Sequence, residues 1–237
     1  MMLSDFLYAS PKSRESRSAI LILPEIFGLK PFAKDLADRF TSEVGIRGYA
    51  LDYFFAITGQ SNNLDYQADI DRGVELMRQM TGEEFLDIFQ QAVELMRDEQ
   101  PDLQRLVVVG FCFGGRLAYL SGCHSAVTDI VSFYGAGSVD PSFYQGLSAI
   151  QALTQKRAKQ SSLRVMGLFG EQDESIPASD RELIEHSLIE ADIQIDIHTY
   201  QAGHAFFNDD RPDKYNATAA TQAWSDINRW LKVSIND

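Results

Sequence analysis

The sequence predicts an α/β fold in one domain spanning 1–237, with a mostly parallel central sheet and helices on both faces. Short apolar, β-branched runs recur along the chain, and longer segments of helical period separate them, the pattern of strands joined by crossover helices. A length of 237 residues with 45% apolar side chains suffices for one large core. The chain carries no internal repeat, low-complexity tract or linker that would divide it.

The first strand is SAILILP (18–24), apolar on both faces and therefore buried, followed by a turn and a helix through PFAKDLADRF. Gly45 and Gly48 punctuate the approach to a second strand, YALDYFF (49–55). Between Ile57 and Gly82 the chain is polar and partly helical, with no strand signal. From Glu83 to Arg97, Phe85, Ile88, Phe89, Ala92, Val93 and Met96 fall on one helical face, and Pro101 stops the helix. RLVVVG (105–110) reads as a central strand and GGRLAYLSG as the helix after it. AVTDIVSFYG and LRVMGLFG (163–170) are further strands, and a helix over 179–190 leads to a strand at IQIDIHTY. A C-terminal amphipathic helix carrying Trp224, Ile227 and Leu231 closes the series.

A formal net charge of −13 favours solubility and argues against nucleic acid or an anionic membrane as partner. The first residues lack the basic region, apolar run and small-residue cleavage site of a secretory signal, and no stretch reaches the ~18 apolar residues of a membrane span. Cys112 and Cys123 are the two cysteines. On one helix they lie about three turns apart, too far for a disulfide, which predicts free thiols and a cytoplasmic location.

The most informative stretch is VVVGFCFGG (107–115). A strand enters it, a helix leaves it, and Gly-x-Cys-x-Gly-Gly lies between. A nucleophile elbow needs this arrangement: a reacting residue on a strained turn, small neighbours that let the backbone pass, and a helix N-terminus that favours a thiolate. A cysteine buried in a Gly-rich phosphate loop is the plain alternative, but the loop has neither Gly-x-Gly-x-x-Gly nor Gly-Lys-Ser/Thr.

A thiol nucleophile needs a base, and the base needs an orienting group. In the order of the α/β-hydrolase fold the acid follows a later strand and the histidine comes last. LFGEQDESIP (168–177) supplies Asp173 just past a strand, with Glu171 and Glu174 as rivals, and YQAGHAFFND (200–209) supplies His204. His186 falls in a helix and His198 in a strand, both read as surface or packing residues. His124 at a helix end reads as a cation facing the helix dipole.

Four segments, PEIFGL (24–29), GFCFGG (110–115), GEQDESIP (170–177) and AGHAFFNDDRP followed by AATQAW, together resemble the dienelactone hydrolase (carboxymethylenebutenolidase) family from about Ala19 to Leu231. The resemblance implies a Cys112–His204–Asp173 triad hydrolysing carboxylic esters or lactones through a thioester. It also implies that Glu25 moves the thiol proton when substrate binds, and that the backbone N–H groups of Ile26 and Phe113 form the oxyanion hole. No metal or organic cofactor is implied, the partner is a small-molecule ester or lactone, and a monomer is expected.

The family's arginine four residues after the histidine is here Asn208. Asn208, Phe206 and Arg72 are the candidate substrate-binding residues, and the short N-terminus is expected to lack a leading strand common in relatives. A thioesterase or acyl-transferring hydrolase, or a non-catalytic thiol sensor, are the alternative functions; retention of all three triad members argues against the last.

Overall fold

The computed structural model describes residues 2–11, 16–141, 143–157 and 162–233. Eight strands form one sheet in the order β1-β2-β4-β3-β5-β6-β7-β8. They are β1 (Met2–Ser4), β2 (Leu7–Ala9), β3 (Ser18–Leu23), β4 (Arg47–Leu51), β5 (Arg105–Phe111), β6 (Val127–Phe133), β7 (Arg164–Gly170) and β8 (Gln194–Tyr200). From β4 to β8 every neighbouring pair is parallel, while β2 pairs antiparallel with β1 and β4. This is the mostly parallel sheet that the alternating pattern predicts.

The central strands are apolar throughout because both faces are covered. Ile20, Leu21, Ile22, Val107, Val108, Val109, Ile130 and Val131 are all buried. Helices α1 (Pro31–Arg39) and α8 (Ala217–Val233) meet where the Arg39 guanidinium lies 3.8 Å over the Trp224 ring. Helices α4 (Gly82–Glu99), α5 (Phe113–Ser121), α6 (Ala149–Arg157) and α7 (Ala178–Glu190) form a contiguous row on the other face. The sequence-predicted face of α4 is buried in full, and a Thr81–Glu84 capping box starts the helix.

Three features differ from the sequence reading. The N-terminus does contain a leading pair of strands, β1 and β2, each of three residues and too short to show alternation. The second strand stops at Leu51, because the buried Asp52 carboxylate accepts the Asn62 N–H and the chain turns into α2 (Phe55–Thr58). Helix α6 follows β6 without having been predicted. Its apolar residues Ala149, Ile150, Ala152 and Leu153 are confined to its first five positions, so they cover little more than one helical turn. The segment before α4 is helical over α3 (Ile70–Gln79), as its polarity suggested.

Candidate active site

Strand β5 runs into a turn at Cys112 and leaves it as α5. Cys112 has φ 56° and ψ −119°, a conformation that L residues avoid and that functional turns hold under strain. The turn closes because its neighbours are glycines. A Cβ on Gly110 would lie 2.0 Å from the Gly114 carbonyl oxygen, and one on Gly114 would lie 2.2 Å from that of Leu23. The Cys112 N–H donates to the Phe133 carbonyl at 3.1 Å, tying the turn to the end of β6. As the N-cap of α5, Cys112 stands at the positive end of the helix dipole.

Two loops at the same end of the sheet meet this turn. Asp173 follows β7 and is buried: its Oδ1 accepts the Ser175 N–H at 2.9 Å, and its Oδ2 accepts from His204 Nδ1 at 2.7 Å. His204 follows β8 and lies beside the Cys112 thiol; with Nδ1 bonded to Asp173, Nε2 is the nitrogen left to face the sulfur. Burial works against a charge on this imidazole, but Cys112 and Asp173 outweigh it and push its pKa up to about 10.

The histidine loop lies on aromatic side chains. The imidazole is 5.0 Å from the Tyr134 ring, Phe206 packs under Tyr134 at 5.5 Å, and Phe207 packs on Phe133 at 4.6 Å. Tyr134 itself takes a strained φ of 36° where β6 ends.

Glu25 follows β3 and is buried. Its Oε2 accepts from Arg211 Nη1 at 2.9 Å and its Oε1 accepts from the Tyr134 hydroxyl at 3.4 Å. The Tyr53 hydroxyl bonds the carbonyls of Pro24 at 2.8 Å and Glu25 at 3.0 Å. In a trans peptide N–H and C=O point oppositely, so holding the Glu25 carbonyl also fixes the direction of the Ile26 N–H. Phe113 is the first residue of α5, and its N–H is one of the four donors a helix N-terminus leaves unpaired internally.

The structure thus brings Cys112, His204 and Asp173 together, His204 bonded to Asp173 and lying beside the thiol, with Glu25 in a second network alongside, joined to it through Tyr134. The candidate substrate-binding residues are placed elsewhere. Arg72 lies on the exposed side of α3, 2.6 Å from Glu75. Phe206 and Asn208 are buried. Asn208 shapes its own loop, donating to the Tyr66 hydroxyl at 3.3 Å and accepting the Asp210 N–H at 3.1 Å. That loop turns Arg211 back to Glu25, the contact that sequence reasoning missed. A cation in the AGHAFFNDDRP segment was visible, but nothing local in the chain says that it closes on a carboxylate 186 residues earlier.

His124 is a correction. It reads from sequence as a cation at a helix end, yet its Nδ1 accepts the Ala126 N–H and burial lowers its pKa, so the ring is neutral and Nε2 donates to Gln90. Both cysteines are free thiols, and burial pushes Cys123 up to about 11. Among the described residues no helix is long and apolar enough to cross a membrane, and no cluster of three or more His, Cys, Asp or Glu could hold a metal ion.

A mostly parallel sheet with a strained strand-to-helix turn over its carboxyl edge, and an acid and a histidine delivered by the last two strands, define an α/β hydrolase. Known proteins narrow the class. The dienelactone hydrolase family model matches residues 5–235. A protein of Escherichia coli K12 named "Putative carboxymethylenebutenolidase" is 28% identical over 229 residues, 95% of this chain and 80% of its own. A namesake from Synechocystis is 28% identical over 96% of this chain and 90% of its own. The crystal structure of a "Putative Dienelactone Hydrolase" from Klebsiella pneumoniae superposes with a TM-score of 0.79 at 25% identity, covering 95% of this chain and 92% of that one. The chain belongs to the dienelactone hydrolase family. It is accordingly a hydrolase of the ester or lactone class, acting on a small-molecule substrate.

Proposed function

We propose that this protein hydrolyses carboxylic esters or lactones with Cys112 as nucleophile, His204 as general base and acid, and Asp173 as the group that orients the imidazole. The observation that carries the reading is the position of His204, bonded through Nδ1 to Asp173 and lying beside the thiol at the elbow. Buried Asp173 accepts the Nδ1–H, fixes the tautomer and leaves Nε2 to exchange the sulfur's proton.

In this mechanism the proton of Cys112 passes to His204 Nε2 and the thiolate attacks the acyl carbon. The Ile26 and Phe113 N–H groups donate to the developing oxyanion; one such donor is commonly worth about 3 kcal/mol. Collapse expels the alkoxide, which takes the Nε2 proton and leaves as the alcohol, and a thioester to Cys112 remains. Water then gives a proton to Nε2 as it attacks the thioester, and the second tetrahedral intermediate releases the acid and returns the proton to the dyad. A lactone follows the same course, with the alcohol and acid on one molecule.

The test is turnover of a panel of aryl esters and lactones by the wild type, Cys112→Ala and His204→Ala, with rapid-quench mass spectrometry for the acyl-enzyme. We expect kcat to fall by about 10³-fold or more in either variant, the range seen when a residue of a catalytic unit is removed. Trapped acyl mass should map to Cys112. Turnover surviving in Cys112→Ala would move the chemistry to another residue.

A further inference from the structure

Tyr53 lies just past the end of β4, and its buried side chain contacts two segments at once. Its hydroxyl donates to the Pro24 carbonyl at 2.8 Å and to the Glu25 carbonyl at 3.0 Å. Its ring stands nearly perpendicular to that of Phe113, with centroids 5.8 Å apart. Phe54 stacks on the same Phe113 ring at 6.2 Å, and Phe143 meets it at 5.8 Å. One side chain therefore touches both the turn that carries the Ile26 N–H and the residue that carries the Phe113 N–H.

A hydroxyl has one hydrogen, and here two consecutive carbonyls share it. Carbonyl oxygens that converge on one atom repel each other, and burial leaves that repulsion poorly screened. The hydrogen between them is what holds this arrangement. The turn's own closure is weak, because the Gly28 N–H reaches the Glu25 carbonyl only at 3.4 Å, beyond the usual range. Burial raises the Tyr53 hydroxyl well above its ordinary range, so it stays a neutral donor. Further along the segment, the Asn62 carbonyl accepts the Leu29 N–H at 2.8 Å, and Asp52, next to Tyr53, holds Asn62. The end of β4 thus grips the chain on both sides of the Ile26 turn.

We propose that Tyr53 is a positioning residue for the oxyanion hole: its hydroxyl fixes the plane of the Glu25–Ile26 peptide, and its ring braces Phe113, so that the two N–H groups converge on one point. The inference rests on the reading of Cys112 as nucleophile and of these N–H groups as the oxyanion donors. Rotating the Glu25–Ile26 peptide plane swings its N–H as far as its carbonyl, because the two are rigidly opposed. Tyr53 itself touches neither substrate nor the reacting atoms. It acts only where charge develops on the acyl oxygen, in the tetrahedral intermediates before and after the thioester.

The experiment compares the full-length wild type with Tyr53→Phe, which keeps the ring and removes the shared hydrogen. Hydrolysis of an aryl ester, inhibition by the matching aryl trifluoromethyl ketone and iodoacetamide alkylation of Cys112 are measured on each. The ketone takes up the thiol: an Sγ–C bond forms, the carbonyl π pair moves onto oxygen, and the thiol proton passes to His204. Iodoacetamide also forms an Sγ–C bond, but it expels iodide and creates no oxyanion. We expect kcat to fall about 10- to 100-fold, just short of the loss on deleting such a donor outright. KM should stay within about threefold, since the ground state gains nothing from the hole. The ketone's inhibition constant should rise by the factor by which kcat/KM falls, because the adduct shares the transition state's contacts. Alkylation of Cys112 should stay within about threefold, as nucleophile and base are untouched. Tyr53→4-aminophenylalanine places N–H donors where the O–H stood and should restore turnover and ketone affinity together.

Tyr53→Phe with wild-type kcat and ketone affinity overturns the role of Tyr53. A fall in kcat that leaves the ketone constant unchanged, or that alkylation follows by the same factor, overturns it equally. Should Tyr53→Phe not fold, Phe113→Leu carries the same comparison, because it keeps the N–H and removes the ring contact. It should move kcat/KM and the ketone constant together by about fivefold or more, a small misplacement at a reacting centre, and no change in either overturns the proposal. Wild-type ester turnover separates the two readings: its presence with an unaffected Tyr53→Phe sinks only the role of Tyr53. Its absence, with no ketone binding, sinks the esterase and the role of Tyr53 with it.

Discussion

At Gly114 the nucleophile turn has no room for even one methyl group, because the intruding neighbours are backbone carbonyls of Leu23 and Pro24, 2.2 and 2.4 Å from where a Cβ would lie. Side chains can swing away from a new methyl; two strand-end carbonyls can do so only by moving β3. Gly114→Ala should therefore cost at least about 3 kcal/mol, the upper end of overpacking penalties, and should lower ester turnover in whatever fraction still folds. A melting temperature within 2 °C of the wild type, about what a ΔΔG near 1 kcal/mol produces in a chain this size, would show that the turn tolerates the methyl. The glycines, the cysteine, the acid and the histidine were legible in the sequence because each is a local solution to a local problem. Arg211 and Tyr134 were not, because their importance comes from closure on Glu25, a residue far away in the chain. Asn208 was misleading for the same reason: its place after the histidine suggested substrate contact, and the fold uses it to bend the loop.

Elements were legible in proportion to how much apolar period they carry. Helix α4, with its long buried stripe, was read from sequence with its ends nearly correct, while the short strands β1 and β2 and helix α6 left no periodic trace. The connection after β4 is a case in which one buried acid does the work of a strand. Asp52 accepts the Asn62 N–H and its side-chain amide, and so holds the loop whose Asn62 carbonyl and Leu64 N–H pair with Leu29 and Phe27, next to the Glu25–Ile26 turn. Burial raises Asp52 to about 6, despite these hydrogen bonds, which pull the other way. Its folded pKa lies above the unfolded value of 3.8, so the folded chain binds the proton more tightly. The resulting stability is present in full below pH 4 and is lost as the pH rises through about 6. Asp52→Asn cannot titrate, so its stability relative to the wild type should improve by about 2 to 3 kcal/mol between pH 4 and pH 7. Urea unfolding of both proteins across that range reads the difference, and parallel curves would mean that Asp52 is ionised throughout.

The whole molecule separates the candidate active site from anchorage at opposite ends of its parallel sheet. Cys112, Asp173 and His204 all follow the carboxyl ends of strands, as ligand sites of open α/β sheets do. Near the amino ends, buried Asp129 of β6 accepts from Arg105 Nε of β5 at 2.8 Å and from Arg164 of β7, also at 2.8 Å through Nε. Arg105 reaches on to the Leu231 carbonyl and Arg164 stacks 4.2 Å over the Trp230 ring, so one carboxylate joins three strands to the C-terminal helix. Burial alone would raise the pKa of Asp129, but the two arginines lower it overall, so its contribution is present above the unfolded value of 3.8 and is lost as the pH falls below it. Asp129→Ala leaves two buried guanidinium groups without their anion, a loss of about 3 to 5 kcal/mol, which for a chain of this length lowers the melting temperature by about 10 °C. Because the clamp touches none of the triad, kcat measured at 25 °C on the folded protein should stay within about twofold of the wild type, the spread expected when distant sites act independently. A large fall in kcat without a fall in melting temperature would mean instead that the two ends of the sheet are mechanically coupled, and that strand register set by Asp129 controls the distance between the elbow and the histidine loop.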